Sequence, residues 1–267
     1  MVYSERLWKI FTKGRNFKMK KKLTAILTCL ALTATFAGYV SAQDEKDPLG
    51  RTPCDIFREY PEAKCAIYQF KDIPGKDNPD HSDIEYCLHN GYMSGTSEDT
   101  FSPDATITRA QFVTMLYRVA GQPEVTQAAN RFTDLTQDWY KKAINWAVSA
   151  NIVSGTSSTT FSPNATITKE QILVMFYRAA KQCPNIDPIL FTVGESLFDP
   201  NTYQVYMDVK DISPYAVEAV RWCLAMDIIL ADEPEYLQFY IRPKTTPTRL
   251  ETADMLRSFD YYYNPSN

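Results

Sequence analysis

Three basic residues follow threonines at matching places in the chain: Arg109 after Thr108, Lys169 after Thr168 and Arg249 after Thr248. Each opens a stretch of helically spaced apolar residues. Each is therefore read at the first position of a helix, where the macrodipole is positive and a cation costs ~0.3–1 kcal/mol. The first-turn amides point out of the same end and are only partly used by a threonine cap. A positive helix end carrying Arg or Lys is suited to holding an anion. The plainer alternative is a solvated charge, or an ion pair with a neighbouring acid. Three occurrences at one position favour binding.

Catalytic chemistry finds little support. The two histidines, His81 and His89, lie close together, and a surface histidine is the default reading. No nucleophile elbow, zinc motif, Gly-rich phosphate loop or EF-hand loop is present. Acid pairs of the glycosidase kind have many candidate carboxylates, and none stands out. No catalytic residue, metal or cofactor is expected.

The elements that carry the three cations form a repeat. Residues 94–111 read SGTSEDTFSPDATITRAQ and residues 154–171 read SGTSSTTFSPNATITKEQ. Around them lie repeat one (70–125), repeat two (132–182) and a weaker repeat three (206–263), with a lead-in at 43–69 and an insertion at 183–205. Each repeat runs aromatic-x-Asp-apolar, helix, turn, Pro, then Thr-[Arg/Lys] and a second helix. In repeat two the first helix has Ala143, Ile144, Ala147 and Ala150 at helical spacing. Gly91, Asn151 and Asp227 follow the first helices, where a left-handed residue is expected. Thr108-x-x-Gln111, Thr168-x-x-Gln171 and Thr248-x-x-Glu251 fit the capping box. Ile107 with Phe112 and Ile167 with Ile172 have staple spacing, which Pro247 and Thr252 break in repeat three. Repeat three also lacks glycine.

The N-terminal region reads differently. Lys20–Lys22, an apolar run from Leu23 to Val40 and Val40-Ser41-Ala42 have the plan of a secretory signal peptide, residues 1–42, with Met19 as the expected start; a membrane anchor is the alternative. Removing 1–42 takes eight Lys/Arg and one Asp/Glu and leaves 20 basic and 31 acidic residues, net −11. That balance argues against nucleic acid. Five cysteines remain: Cys54, Cys65, Cys87, Cys183 and Cys223. The odd count leaves a free thiol or an intermolecular bridge, and Cys54 with Cys65 could close a small loop.

The pattern Phe-x-Asp, Trp-Ala late in a helix, Gly-x-x-x-x-Thr-Phe-x-Pro and Ile-Thr-Arg-Ala-Gln resembles the S-layer homology repeat, over Phe70 to about Tyr263. The resemblance implies a mainly α fold, with three tandem helix-loop-helix repeats in a pseudo-threefold assembly. It implies grooves that bind anionic, often pyruvylated, secondary cell-wall polysaccharide on Gram-positive cells; cleavage of the signal segment is expected to leave no membrane contact. It assigns the anion contact to Arg109, Lys169 and Arg249. The motif's glutamate becomes Gln111 and Gln171 and stays Glu251, which removes two negative charges near the anion. Asp72, Asp134 and Asp208 match the opening Asp and could bond sugar hydroxyls or flank a helix. Trp146 and Trp222, with Tyr86 at the same position, could stack on sugar or lie in the core. Gly95 and Gly155 are expected to permit an unusual turn that presents amides. Repeats one and two are the expected groove builders. A scaffold that binds a surface protein or itself, without polysaccharide, is the alternative.

Overall fold

The structure is a computed structural model that describes residues 66–73, 79–125, 131–184, 186, 191, 206–229 and 239–264. The signal segment, most of the lead-in, Cys54, Cys65 and most of the insertion lie outside the described residues. Among the described residues six α-helices dominate: α1 Pro79–His89, α2 Arg109–Val119, α3 Asp138–Ser149, α4 Lys169–Gln182, α5 Val217–Ala225 and α6 Arg249–Tyr263. Short 3-10 turns at Ala66–Gln69, Val209–Asp211 and Pro214–Ala216 precede or join them. Among the described residues only isolated β-bridges are extended, including Thr108 with Thr166 and Thr106 with Thr248. The fold is mainly α, as the sequence pattern implies.

The helix pairs interlock across repeats. α2 packs on α3, α4 on α5, and α6 returns to α1, so the chain closes a ring. Position-matched residues fill the first two seams: Tyr117 lies against Trp146 at 5.5 Å and Tyr177 against Trp222 at 5.7 Å. In the closing seam the matched pair is Arg257 over the Tyr86 ring at 5.6 Å, with Arg257 also paired to Asp83 at 2.7 Å. Phe112, Phe176 and Phe259 meet where the second helices converge, with centroids 5.2 and 4.5 Å apart. All three rings are fully buried, each worth roughly 1.5–3 kcal/mol.

Local chemistry sets the helix ends. In α2, Gln111 N–H donates to Thr108 Oγ1 and Thr108 N–H to Gln111 Oε1, at 3.3 and 2.8 Å. α6 closes the same box with Glu251. α4 has the same box arrangement at Thr168 and Gln171; its return bond, Thr168 N–H to Gln171 Oε1, is 3.2 Å, and among the described residues Thr168 Oγ1 has no hydrogen-bond partner within range. Ile107, Phe112, Ile167 and Ile172 are fully buried, consistent with the staples. α3 starts on a tyrosine: the amides of Thr136 and Gln137 donate to the Tyr140 hydroxyl at 3.1 and 3.0 Å. Gly91, Asn151 and Asp227 take φ of 69°, 55° and 55°, the left-handed stops that the sequence pattern requires.

Candidate functional site

Each second helix begins inside the turn of another repeat. The amides of Arg109 and Ala110 donate to the carbonyls of Ala165 and Pro163, at 2.9 and 3.0 Å. Lys169 and Glu170 donate likewise to Thr245 and Pro243, and Arg249 and Leu250 to Ala105 and Pro103. The expectation of partly free first-turn amides is therefore corrected. Carbonyls of the adjoining turn take the first two amides, so an anion cannot be cradled by them.

The basic side chains follow the same path and are buried, each under a tenth exposed. Arg109 donates from Nε to Phe161 O at 3.2 Å and from Nη2 to Ser154 O at 3.0 Å, with its guanidinium 4.8 Å from the Phe161 ring. Arg249 repeats this on Phe101 O at 2.8 Å, Ser94 O at 2.6 Å and the Phe101 ring at 4.4 Å. These cations thus have a structural job, tying one repeat to the turn of another. Burial lowers both guanidinium pKa values, yet arginine remains charged in proteins. Nη1 of each makes no hydrogen bond among the described residues. Lys169 differs: Ile241 stands where the other turns have Phe, and its ammonium lies 4.0 Å from Glu251 Oε1.

The opening aspartates are clamps. Asp72 accepts from the amides of Phe101 and Ser102 at 2.8 and 2.6 Å, Asp134 from Phe161 and Ser162 at 2.9 and 2.7 Å, and Asp208 from Ile241 and Arg242 at 2.9 and 2.6 Å. The second amide of each pair belongs to a residue in left-handed conformation before a proline: Ser102, Ser162 and Arg242, with φ of 59°, 60° and 54°. Such backbone costs about 1–3 kcal/mol each, and the bidentate carboxylate offsets it. Burial acts to raise the Asp134 carboxyl, but the Phe161 and Ser162 amides outweigh it and hold it below the usual value.

The glycines have a steric reason, and neither takes a left-handed φ. A Cβ at Gly95 would lie 2.3 Å from Phe70 Cε1, and one at Gly155 2.4 Å from Phe132 Cε1. The opening phenylalanine of each repeat packs onto the glycine backbone.

Beside Gly155 lies a groove of about 380 Å³, lined by Arg109, Ser154, Gly155, Gln171, Arg178 and Tyr215 among others. All three repeats contribute: Arg109 from one, the turn and α4 from two, Tyr215 from three. Arg178 is exposed and donates from Nη1 to Ile152 O at 3.3 Å. Its match in repeat one, Arg118, donates to Tyr92 O at 3.2 Å. Its match in repeat three is Ser258. The sequence reading missed both arginines, although Tyr117-Arg118 and Tyr177-Arg178 recur at the same place.

The stacking expectation for Trp146 and Trp222 is corrected. They are 8 % and 2 % exposed. Trp146 lies against Tyr117, and Phe191 covers the Trp222 face at 5.5 Å and 16°. Among the described residues the most exposed aromatics are Trp139 at 53 % and Tyr215 at 57 %, at matching positions near the starts of the first helices of repeats two and three. Their signal was available as large aromatics outside the apolar helical stripe.

The histidine expectation also shifts, since His81 is buried and His89 exposed. Cys87, Cys183 and Cys223 are free and buried, and burial pushes the Cys87 and Cys223 thiols well up. Such thiols are unreactive. Among the described residues no acidic, His or Cys cluster could hold a metal.

The helix pairs close a ring, and a groove lined by Arg109 and Arg178 lies where the three repeats meet. The model of the S-layer homology domain family matches residues 69–113 and 131–173. The chain thus carries S-layer homology repeats over these two segments and is secreted to the cell surface. The third helix pair falls outside the match and is tied to the others by the repeated contacts above. The chain is 30 % identical over 210 residues to an endoglucanase of Bacillus sp. strain KSM-635, covering 76 % of this chain and 20 % of that protein. It is 30 % identical over 181 residues to a surface layer protein of Brevibacillus choshinensis, covering 66 % and 14 %. It is 26 % identical over 132 residues to a cellulosome-anchoring protein of Acetivibrio thermocellus, covering 48 % and 29 %. The chain thus spans less than a third of the length of each of these relatives.

Proposed function

We propose that the chain is a non-catalytic module that anchors to an anionic secondary cell-wall polysaccharide at the surface of a Gram-positive-type cell. The observation that carries this is the groove at Gly155, where Arg109 and Arg178 stand beside an exposed tyrosine. Two guanidiniums suit a carboxylate on a sugar, such as a pyruvyl ketal, and an exposed ring suits a sugar face. Gln171 on the groove wall adds no negative charge. Arg249, Gln111 and Arg118 occupy the matching positions around Gly95, and the proposal extends to them as a second site. The third is weaker: Lys169 is drawn to Glu251, and Ser258 replaces the rim arginine. The proposed layout is a cleaved segment 1–42, a lead-in 43–69, repeats at 70–125, 132–182 and 206–263, and an insertion at 183–205.

Co-sedimentation with wall sacculi, before and after the polysaccharide is stripped, tests the proposal. Pelleting that disappears on stripping supports it. No pelleting with either preparation overturns it in favour of a protein-binding scaffold.

A further inference from the structure

Position 110 is alanine and position 250 is leucine, but the matching position in repeat two is Glu170. The helix dipole favours an acid in the first turn, yet this residue is only 3 % exposed. Its carboxylate accepts from Ser213 N–H at 3.0 Å, Ser213 Oγ–H at 2.9 Å, Tyr215 O–H at 3.0 Å and Lys244 Nζ at 2.6 Å. Burial acts to raise the carboxyl, and these bonds outweigh it and hold Glu170 below the usual range. It is ionised at neutral pH and joins α4 to two separate segments of repeat three.

Tyr215 is the one member of this cluster that reaches the groove. A tyrosine more than half exposed ordinarily samples several rotamers, and the hydroxyl bond to Glu170 restricts it. Trp139, its match in repeat two, packs edge-on to Tyr140 at 4.8 Å. The counterpart of Glu170 beside it is Ala110, which offers no acceptor side chain.

We infer that Glu170 is a positioning residue: it fixes the Tyr215 ring as an apolar platform at the repeat-two groove. This groove then takes the sugar at lower ordering cost than the groove at Gly95. The inference rests on the polysaccharide reading. Immobilising one free side chain on binding weakens a complex by about twofold to tenfold.

Two measurements on the full chain test it. Burial, together with the Glu170 carboxylate, pushes the Tyr215 phenol above its ordinary value. An NMR titration of the Tyr215 ζ carbon is expected to move down towards that value in Glu170→Ala. An unchanged titration overturns the tether, whatever the ligand. The second is calorimetric titration with purified wall polysaccharide. Glu170→Ala and Tyr215→Phe should each weaken the tighter site by about twofold to tenfold, and the double variant should be no weaker than either. Glu170→Gln, whose amide oxygen still accepts from the Tyr215 hydroxyl but whose NH2 then faces the Ser213 N–H, should recover part of the loss. Additive losses, or full affinity in Tyr215→Phe, overturn the positioning role. Absence of wild-type binding overturns the platform and the polysaccharide reading together, while the NMR titration still reports the tether.

Discussion

Replacing Arg109 by alanine should destabilise the fold far more than replacing Lys169, although the two residues occupy the same motif position. Arg109 makes two hydrogen bonds to carbonyls of the repeat-two turn and lies over the Phe161 ring. A hydrogen bond to a charged group is worth about 1.5–3 kcal/mol, and a cation–π contact adds about 0.5–2 kcal/mol. Arg109 lines an open groove, so the lower ends apply, and the loss comes to about 3–4 kcal/mol. For a domain of this size that lowers Tm by about 10 °C. Lys169 loses one ion pair at 4.0 Å to a half-exposed Glu251, worth at most about 1 kcal/mol. Arg109→Lys should recover little, because a point charge cannot reproduce the planar fork. Calorimetric melts of the three variants read this directly. Equal losses in Arg109→Ala and Lys169→Ala, or an unchanged Tm in Arg109→Ala, would refute the cross-repeat tie.

Two further outcomes follow from the same contacts. Gly155→Ala places a methyl against Phe132 and the carbonyls of Ser157 and Thr160; overpacking of this kind costs about 1–3 kcal/mol, and urea melts should show it. The Asp134 carboxyl lies below its ordinary value when folded, so its contribution is complete above the unfolded value of about 3.9 and fades as pH falls through the lower folded one. Asp134→Asn should therefore be less stable at neutral pH, with the gap to wild type closing in melts below about pH 4; a gap that persists in strong acid contradicts the clamp.

The caps, staples and left-handed stops could be read from the sequence because they are local. Thr108 and Gln111 are three residues apart, and a left-handed residue after a helix leaves a trace in its own identity, as at Gly91 and Asn151. The roles of Arg109 and Asp72 could not be read this way. Arg109 bonds a turn about fifty residues on and Asp72 a turn about thirty residues on, and only the closed ring brings them together. Trp146 shows the same limit. Its spacing fits a core residue and a stacking platform equally well, and the Tyr117 ring that covers it comes from another repeat. Glu170 carried a signal in the sequence, an acid where its counterparts are Ala110 and Leu250, but its partners come from repeat three.

Arg178 gives the cleanest test of the central claim, since it is exposed, lines the groove and, among the described residues, makes a single hydrogen bond, to Ile152 O at 3.3 Å. The measurement is calorimetric titration of purified wall polysaccharide, with its acidic groups intact or removed, into wild type and Arg178→Ala. Binding by wild type that is lost with the acidic groups, and weakened in Arg178→Ala at unchanged Tm, is the expected result. Equal binding of the neutral polymer, or full affinity in Arg178→Ala, would contradict an anion-binding groove.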